Sequence, residues 1–386
     1  MGYAETMSAS VSDVLIVGGG LVGLATAEAA LRRGLSVTVL ERERFGARAS
    51  WAGAGMLNNR PWPRTQDPDY HDLMRASLRL HEEWAARLRH ETEIDPGHVI
   101  CGALEIFVAG DPQAAEQSAR LLEGAAERGV RAERVGRERI RELEPQIDLS
   151  AIDHALLYPD DGQVRNPRLA KALIASCRQR GARMLEAAEV ADLAVEGTRA
   201  VGAVTADGRR FEAKQIVVCA GAWTGTFKEL AQRVPRIQRI EPVRGQLVCY
   251  QTEPGMLTRL LTAEHRYLVP RPDGLLLVGS TMERVGFDTT TTPEGQTELR
   301  AFAERWLPAL VDREPVQGWA DVRPGLKGSH PIMGPVPGMT GLFVAAGHFR
   351  NGIGLAPITG EIMAALLAGQ KPPIPIEPWL PRAAQD

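Results

Sequence analysis

The pattern of apolar and polar residues changes period several times along the chain, and each change predicts a new element. Short apolar runs at residues 13–17 and 36–41 predict two strands, and the segment between them, which Gly34 closes, predicts a helix. Apolar residues recur at helical spacing in six further segments, which predicts helices at residues 69–92, 112–128, 137–144, 166–181, 293–306 and 355–367. Asn166 is expected to be the N-cap of the helix that it opens.

Strand-sized segments make up much of the remaining sequence. We predict strands at residues 102–109, 184–219, 245–251, 266–271, 274–281, 316–323 and 342–346. Residues 215–220 are apolar throughout, which is typical of a parallel strand covered on both faces. Asp273 and Gly274 predict a tight hairpin between two antiparallel strands.

The order of these elements predicts an α/β fold (α+β overall) with two domains, and the length of 386 residues favours two domains as well. Parallel-sheet patterns occur at the start, middle and end of the chain, and antiparallel patterns lie between them. We therefore predict a discontinuous Rossmann-like cofactor domain (residues 1–85, 150–235 and 324–386) and an inserted antiparallel-sheet substrate domain (residues 86–149 and 236–323).

Three glycines join the first strand to the first helix, and their spacing is that of a dinucleotide-binding turn. Gly18 permits the tight turn, Gly20 lets a pyrophosphate approach the backbone, and Gly23 lets the helix pack close to the strand. The helix N-terminus then offers N–H groups to the phosphates. Glu41 ends the second strand and suits a ribose hydroxyl. The alternative is a glycine-rich turn in an ordinary βαβ unit.

Charge, apolar stretches and cysteines exclude several classes of protein. The net charge of −3 argues against a nucleic-acid surface, and no apolar stretch approaches the ~18 residues that a membrane-spanning helix needs. Residues 1–12 are mostly small and polar and predict a disordered leader, not a signal peptide. The cysteines, which form no close pair, predict neither disulfides nor a metal site and suggest the cytoplasm: Cys101, Cys177, Cys219 and Cys249.

Six segments spread over the whole chain carry a family resemblance. They are GGGLVG (18–23), ASWAGAGM (49–56), AGAW (220–223), HRYLVP (265–270), WADVRPG (319–325) and AGHFRNGI (346–353). In this order they resemble the D-amino acid oxidase superfamily of FAD enzymes, and glycine oxidases most closely. The resemblance implies that the discontinuous domain is an FAD-binding domain.

The resemblance also implies which residues contact FAD. In the family, the small-residue loop at residues 49–56 lines the pyrophosphate and the flavin ring, and the glycine loop at residues 347–354 faces the flavin pyrimidine. Sarcosine oxidases attach the flavin to a cysteine after the conserved arginine, but residues 326–334 contain no cysteine, so we expect noncovalent FAD. The implied cofactor-binding residues are Gly18, Gly20, Leu21, Val22, Gly23, Glu41, Arg42, Ala49, Ser50, Gly55, Met56, Val190, Gly221, Trp223, His348, Arg350, Asn351, Gly352, Ile353 and Gly354.

Four residues form the substrate site that the resemblance implies. Arg323 would place two charge-assisted hydrogen bonds on a substrate carboxylate, and Tyr267 would hold its hydroxyl over the same carboxylate. Arg350 would add positive charge near flavin and substrate, and Met282 matches a pocket-lining methionine. From the residues alone, a surface ion pair for Arg323, a half-buried strand position for Tyr267 and a core position for Met282 are the alternatives.

The predicted reaction is the oxidation of a small amino acid or amine, with glycine or sarcosine as the expected substrate. A hydride would pass to flavin N5, the resulting imine would hydrolyse, and dioxygen would be reduced to hydrogen peroxide. The alternatives are a dehydrogenase that passes electrons to quinone or another carrier, a flavin-binding subunit without chemistry of its own, and an NAD-only reductase. The resemblance further implies a homo-oligomer, a tetramer in the family, and a place in thiamine biosynthesis.

Overall fold

Strands and helices alternate through the computed structural model, which describes residues 11–60, 67–326 and 330–383. The strands are, in chain order, β1 (Ser12–Val17), β2 (Val37–Leu40), β3 (Met56–Leu57), β4 (Val99–Ile100), β5 (Ala103–Val108), β6 (Glu133–Gly136), β7 (Ile152–Tyr158), β8 (Gly162–Gln163), β9 (Arg183–Leu185), β10 (Val190–Glu196), β11 (Arg199–Thr205), β12 (Arg210–Val218), β13 (Glu241–Gln251), β14 (Leu260–Ala263), β15 (Arg266–Pro270), β16 (Leu275–Gly279), β17 (Gln317–Gly325), β18 (Ile332–Pro335) and β19 (Leu342–Ala346). The α-helices are α1 (Leu21–Arg32), α2 (Ala49–Ala52), α3 (Pro68–Thr92), α4 (Ala114–Glu127), α5 (Arg137–Leu143), α6 (Asn166–Gln179), α7 (Lys228–Arg233), α8 (Pro293–Trp306) and α9 (Gly352–Leu367).

The first sheet has a parallel core in the order β19-β12-β1-β2-β9. Two antiparallel strands, β10 and β11, continue from the first half of β12, and β18 pairs antiparallel with β19 at the edge. The apolar run at residues 215–220 is therefore a parallel strand between two others, as predicted, and the predicted fold class is confirmed.

Successive side chains of β1 enter two different cores, which explains its continuous apolar sequence. Val14 and Ile16 pack with residues of α1, α3, α6 and α9 on one face. Leu15 and Val17 pack on the other face with residues of β10, β11 and α7. Because both faces are covered, this sheet resembles the doubly wound sheets that bind nucleotides at their carboxyl edge.

The second sheet runs in the order β17-β13-β16-β15-β14-β5-β7-β6. Its neighbours are antiparallel except for the parallel pair of β14 and β5. One face packs against α8 through Leu299, Phe302 and Trp306. Tyr267, on the opposite face, packs in a cluster with Ala54 and Met56 from the segment that follows α2. A small third sheet, β3-β8-β4, pairs β3 of this segment with β8, which also pairs with β4.

Several local expectations need correction. Arg165, not Asn166, is the N-cap of α6, and Asn166 is its first helical residue. The last helix, α9, begins at Gly352, three residues before the predicted start. The predicted domain boundaries stay a prediction, although β7, assigned to the first domain by the boundary at residue 150, pairs within the second sheet. The predicted leader falls almost wholly on residues 1–10, outside the described residues.

None of the helices in the described ranges has the length and apolar character needed to cross a lipid bilayer.

The crossing of α1 and α9 leads to a test of the fold. A Cβ added at Gly360 would lie 2.7 Å from the carbonyl oxygen of Ala25, a backbone atom held inside α1. We expect Gly360→Ala to lower the free energy of unfolding by roughly 1–2 kcal/mol, because the overpacking cost exceeds the gain in helix propensity. Urea unfolding of the purified protein measures the change.

The control variant lies in the same helix. A Cβ at Gly354 would meet only the flexible side chain of Met74, at 3.4 Å. Gly354→Ala should therefore leave stability unchanged or raise it slightly. Wild-type stability of Gly360→Ala would contradict the tight crossing.

Candidate active site

A cleft opens at the carboxyl ends of the parallel strands in the first sheet. Gly18 follows β1, Glu41 follows β2, Cys219 follows β12 and His348 follows β19, and all four line this cleft. Ligands of doubly wound sheets bind at this edge, where the strands end and helices begin. The predicted site residues among the described residues lining the cleft are Gly18, Gly20, Leu21, Val22, Glu41, Arg42, Ala49, Ser50, Val190, Gly221, Trp223, Arg323, His348, Arg350, Gly352 and Ile353.

The glycine turn after β1 is built from close backbone contacts. Gly18 has φ +109°, a conformation that favours glycine, and a Cβ there would lie less than 3.0 Å from the carbonyl oxygen of Cys219. A Cβ at Gly23 would overlap the carbonyl oxygen of Gly18. Gly23 therefore packs the first turn of α1 against the strand end, and Gly18 brings β1 against the end of β12.

The Glu41 carboxylate braces this turn from the neighbouring strand. One oxygen accepts a hydrogen bond from the Gly19 N–H (2.7 Å), and the other accepts one from the Glu43 N–H (3.0 Å). An ionised carboxylate has about four acceptor positions, so these two bonds leave capacity for ribose hydroxyls. Glu41 can thus shape the turn and still take part in binding a nucleotide.

Ser50 links the loop after β2 to the N-terminus of α1. Its Oγ accepts a hydrogen bond from the Leu21 N–H (2.9 Å), which stands in for a cap that Gly20 cannot provide. Asn166 holds this loop in place, because its Nδ2 donates to the carbonyl oxygens of Ser50 (2.6 Å) and Trp51 (2.9 Å). The sequence marked Asn166 only as a helix cap, so its role in positioning Ser50 was missed.

Arginines surround the cleft mouth on the side of β2. The Arg42 guanidinium lies 3.5 Å from the centroid of the Trp223 ring, a cation–π contact, and Phe287 stacks on the same indole at 4.8 Å. Arg44 and Arg48, which the sequence reasoning missed, also line the cleft. Fixed positive charge at this position complements a pyrophosphate.

Two guanidinium groups, those of Arg323 and Arg350, line the other wall of the cleft, and the phenol of Tyr267 lies beside them. Arg323, on β17, donates from Nη2 to Ser280 Oγ (2.9 Å). Burial lowers the pKa of Arg350, and the nearby charge of Arg323 lowers it further, whereas the nearby Tyr267 raises it. The three predicted substrate-site residues Arg323, Arg350 and Tyr267 are thus neighbours. Two like charges held this close, with a phenolic hydroxyl beside them, form a site that an anion would stabilise.

The family model described as "DAO: FAD dependent oxidoreductase" matches residues 13–366. The chain belongs to this FAD-dependent oxidoreductase family. It is similar to the glycine oxidase of Pseudomonas aeruginosa, with 35% identity over 95% of this chain and 98% of the relative. It is 36% identical to a bifunctional protein ThiO/ThiG of Synechocystis, over 94% of this chain and 52% of that protein.

A solved structure of the family has nearly the same fold. The crystal structure of glycine oxidase from Geobacillus kaustophilus superposes with a TM-score of 0.90 at 30% identity, and the match covers 97% of this chain and 99% of that one. The resemblance stated from the sequence is therefore confirmed, and FAD is the cofactor.

The cleft fits FAD by the chemistry of its residues. The glycine turn and the N-terminus of α1 offer backbone N–H groups to the pyrophosphate, and Glu41 offers acceptors to the adenosine ribose. The flavin end would lie toward the loop after β19, beside Arg323 and Arg350. Among the described residues, no group of His, Cys, Asp and Glu could hold a metal ion.

The start of α9, where Gly352 and Ile353 line the cleft, is supported from behind by α3. Pro357 lies inside α9 and has no N–H, so the carbonyl oxygen of Ile353 lacks its helical donor. His81 Nε2 lies 3.2 Å from the carbonyl oxygens of both Ile353 and Gly354, and Ser77 Oγ donates to that of Gly354 (2.6 Å). The sequence reasoning missed Ser77 and His81, although a proline within the predicted helix was a signal that carbonyls there need other partners.

The remaining predicted residues occupy different positions. The side chain of Met282 is 59% exposed, and it is not among the described residues that line the cleft. Asn351 donates a hydrogen bond to the Tyr70 hydroxyl, and Gly354 faces Met74 of α3. Gly55 has φ +70°, and a Cβ there would overlap the carbonyl oxygen of Val164. These glycine and amide contacts hold the loops together rather than reaching into the cleft.

His348 is a buried, neutral side chain. Its Nε2 lies 3.0 Å from Thr359 Oγ1, and burial lowers its pKa to about 4. The same desolvation, with the nearby His98, lowers the pKa of His81 to about 4. Both imidazoles are therefore uncharged near neutral pH.

These two histidines predict a pH-dependent stability. In the unfolded chain both imidazoles bind protons below pH ~6.5, whereas in the folded protein they do so only below about pH 4. Their contribution to the free energy of unfolding is complete above pH 6.5 and is lost as the pH falls toward 4. Each imidazole changes this free energy by up to about 1.4 kcal/mol per pH unit. Burial raises the pKa of Asp161 to about 6. This carboxyl therefore has the opposite effect on stability, because its contribution increases as the pH falls.

A single substitution separates the effect of His81 on stability from the effects of the other titrating groups. His81→Gln keeps an N–H donor but removes the titration, so its unfolding free energy should fall less steeply than that of wild type between pH 6.5 and 4. Chemical denaturation over this range measures both slopes. The exposed His90 provides the control, since His90→Gln should keep the wild-type slope. Equal slopes in all three proteins would show that His81 does not titrate this way.

Proposed function

We propose that this protein is an FAD-dependent oxidase of a small amino acid, with glycine or sarcosine as substrate. The observation that carries the proposal is the position of Tyr267 beside Arg323 and Arg350, the two arginines that line the dinucleotide cleft. The similarity to glycine oxidases along almost the whole chain supports it. The net reaction is amino acid, dioxygen and water to 2-oxo acid, ammonia (methylamine from sarcosine) and hydrogen peroxide.

Arg323 binds the substrate carboxylate in this proposal. A guanidinium presents two parallel N–H donors to a carboxylate, and each charge-assisted hydrogen bond contributes about 1.5–3 kcal/mol. Ser280 already holds one Nη atom of Arg323, so the side chain loses little freedom when the substrate binds. Tyr267 adds a hydroxyl donor from the neighbouring side of the site.

Orientation is the main contribution of the protein to catalysis. With the carboxylate held by Arg323, the Cα–H bond of the substrate points toward the flavin side of the cleft. FAD, when bound, supplies the acceptor for the hydride. Arg350 keeps positive charge beside this position. His348 is hydrogen-bonded to Thr359 and uncharged, and a substrate that binds with a neutral amine needs no side-chain base.

FAD is held noncovalently in this proposal. Cys219 lies in the cleft, but burial raises the pKa of its thiol to about 12, so it stays protonated and a poor nucleophile. Cys177 and Cys249 are buried elsewhere, in the hydrophobic cores. Dioxygen as electron acceptor, a homo-oligomer, a cytoplasmic location and a role in thiamine biosynthesis belong to the same proposal.

Removal of the carboxylate ligand tests the proposed function. Arg323→Ala should raise KM for glycine by at least roughly 10- to 200-fold, which corresponds to the loss of one charge-assisted bond, while FAD content stays at the wild-type level. Steady-state peroxide assays and the flavin absorbance measure both quantities. The matched control is Arg284→Ala, since Arg284 is exposed and pairs with Glu241, the first residue of β13 in the same sheet.

Three outcomes are informative. Unchanged KM in Arg323→Ala would remove the proposed carboxylate site. One peroxide per substrate consumed is expected of an oxidase, whereas rapid dye reduction with little peroxide would identify a dehydrogenase. Oxidation of carboxylate-free amines as efficiently as glycine would contradict the substrate class.

Acid denaturation tests the attachment of the cofactor. Precipitation of the purified holoenzyme with acid should release all flavin into the supernatant, because Cys219, the cysteine that lines the cleft, stays protonated and is a poor nucleophile. The absorbance of the supernatant and the pellet measures the partition. Yellow colour that remains in the pellet after washing would show a covalent bond.

A further inference from the structure

Arg323 and Tyr267 come from strands that do not touch each other. Arg323 lies on β17 and Tyr267 on β15, and the strands β13 and β16 run between them. Neighbouring strands are about 4.8 Å apart, so the two backbones are separated by about 14 Å. Side chains that stood perpendicular to the sheet could not both reach one carboxylate. Each side chain must therefore lie across the strand beside it.

Gly245 of β13 is the place where Arg323 crosses. The three heavy atoms nearest to a Cβ added at Gly245 are Nη1, Nη2 and Cζ of Arg323, all less than 3.0 Å away. The guanidinium then continues to the end of β16, where Nη2 donates to Ser280 Oγ (2.9 Å). The guanidinium group thus lies directly on the backbone of β13, in the space that any other residue would fill with its side chain.

Gly279 of β16 is the equivalent place for Tyr267. The two residues are direct partners in the pairing of β15 with β16. A Cβ at Gly279 would lie 2.6 Å from Cε2, Cζ and Oη of the Tyr267 ring. The phenol thus leans over β16, toward β13, and approaches the guanidinium from the opposite direction.

A positive φ does not explain these glycines, since neither Gly245 nor Gly279 has one. Gly245 lies inside β13, and Gly279 is the last residue of β16. Glycine within a strand is otherwise unfavourable, because it gives up packing and loses more chain entropy. In both cases all three of the nearest atoms belong to the substrate-site side chain alone.

We propose that Gly245 and Gly279 are positioning residues, which bring Arg323 and Tyr267 together at one substrate carboxylate. This inference rests on the proposed function, since it concerns the same site. It adds that the affinity for the carboxylate depends on two backbone positions that contribute no side chain. An added methyl group would move the guanidinium or the phenol by about an ångström, enough to misplace hydrogen-bond donors.

The experiment measures carboxylate binding in the holoenzyme in two ways. Gly245→Ala and Gly279→Ala should each raise KM for glycine by roughly 10- to 100-fold, with FAD content unchanged and kcat reduced less than KM is raised. The Kd of acetate, a carboxylate that is not oxidised, should rise by a similar factor in calorimetric titration. Gly136→Ala is the control, because it lies in the same sheet with no heavy atom within 4 Å of the added Cβ.

Double variants separate positioning from damage to the sheet. If Gly245 acts only through Arg323, then Gly245→Ala should have no further effect on KM or on the acetate Kd in an Arg323→Ala background. The same holds for Gly279→Ala in a Tyr267→Ala background. Additive losses, or double variants that fail to fold, would show that the glycines serve the sheet and would overturn the inference.

The two proposals fail in different ways. If Arg323→Ala raises KM but Gly245→Ala and Gly279→Ala leave KM and the acetate Kd unchanged, the proposed function stands and the positioning role is wrong. If Arg323→Ala itself changes neither quantity, the carboxylate site falls, and the positioning role falls with it.

Discussion

Hydrogen bonds from both sheets converge on the backbone carbonyls of residues 50–54, and the geometry of the site depends on them. From the first sheet's side, Asn166 donates to Ser50 and Trp51, while Ser50 Oγ accepts from the N-terminus of α1. From the second sheet, Trp319 Nε1 donates to the carbonyl oxygen of Ala52 (2.9 Å). Arg271, after β15, donates to that of Ala54 (2.8 Å). Residues 50–54 therefore hold the substrate wall at a set distance from the nucleotide cleft.

Burial makes the hydrogen bonds of Arg271 in this connection costly to break. Burial lowers the pKa of Arg271 to about 10, yet the group still carries its charge at neutral pH and donates to Gln163 Oε1 and to a buried carbonyl. A buried charge that lost these partners would be strongly unfavourable, so the arrangement is hard to distort. Trp319 lies on the same strand as Arg323, four residues earlier, so one strand both fixes the loop and presents the carboxylate ligand.

Local patterns in the sequence predicted the parts of the fold that are determined locally. The first βαβ unit, the apolar strand at residues 215–220 and the hairpin at Asp273 depend on short-range periodicity and turn chemistry, and all are present. The identity of the pairing partners is not a local property. The small strands β3, β4 and β8 were missed because two residues carry no period.

The site residues also divide into those that a local pattern in the sequence reveals and those that only the folded structure reveals. The glycine turn and Glu41 are visible in the sequence because motif spacing marks them, and Arg323 is visible through the family resemblance. Ser77, His81 and Asn166 act through contacts with residues more than a hundred positions away, and no pattern within their own helices reveals such a contact. Gly245 and Gly279 matter through the side chains that they lack, which only the assembled sheet makes visible.

Two hydrogen bonds, from Trp319 and Arg271, attach residues 50–54 to the second sheet. This attachment has a consequence for exchanging the substrate-binding half of such an enzyme. A foreign antiparallel sheet grafted onto this nucleotide-binding half would need an indole and a guanidinium placed like Trp319 and Arg271. Without them, the graft would dock at an arbitrary angle, and its pocket would miss the redox ring. Exchange of the substrate-binding half is thus limited less by the connecting loops than by these two hydrogen-bond donors.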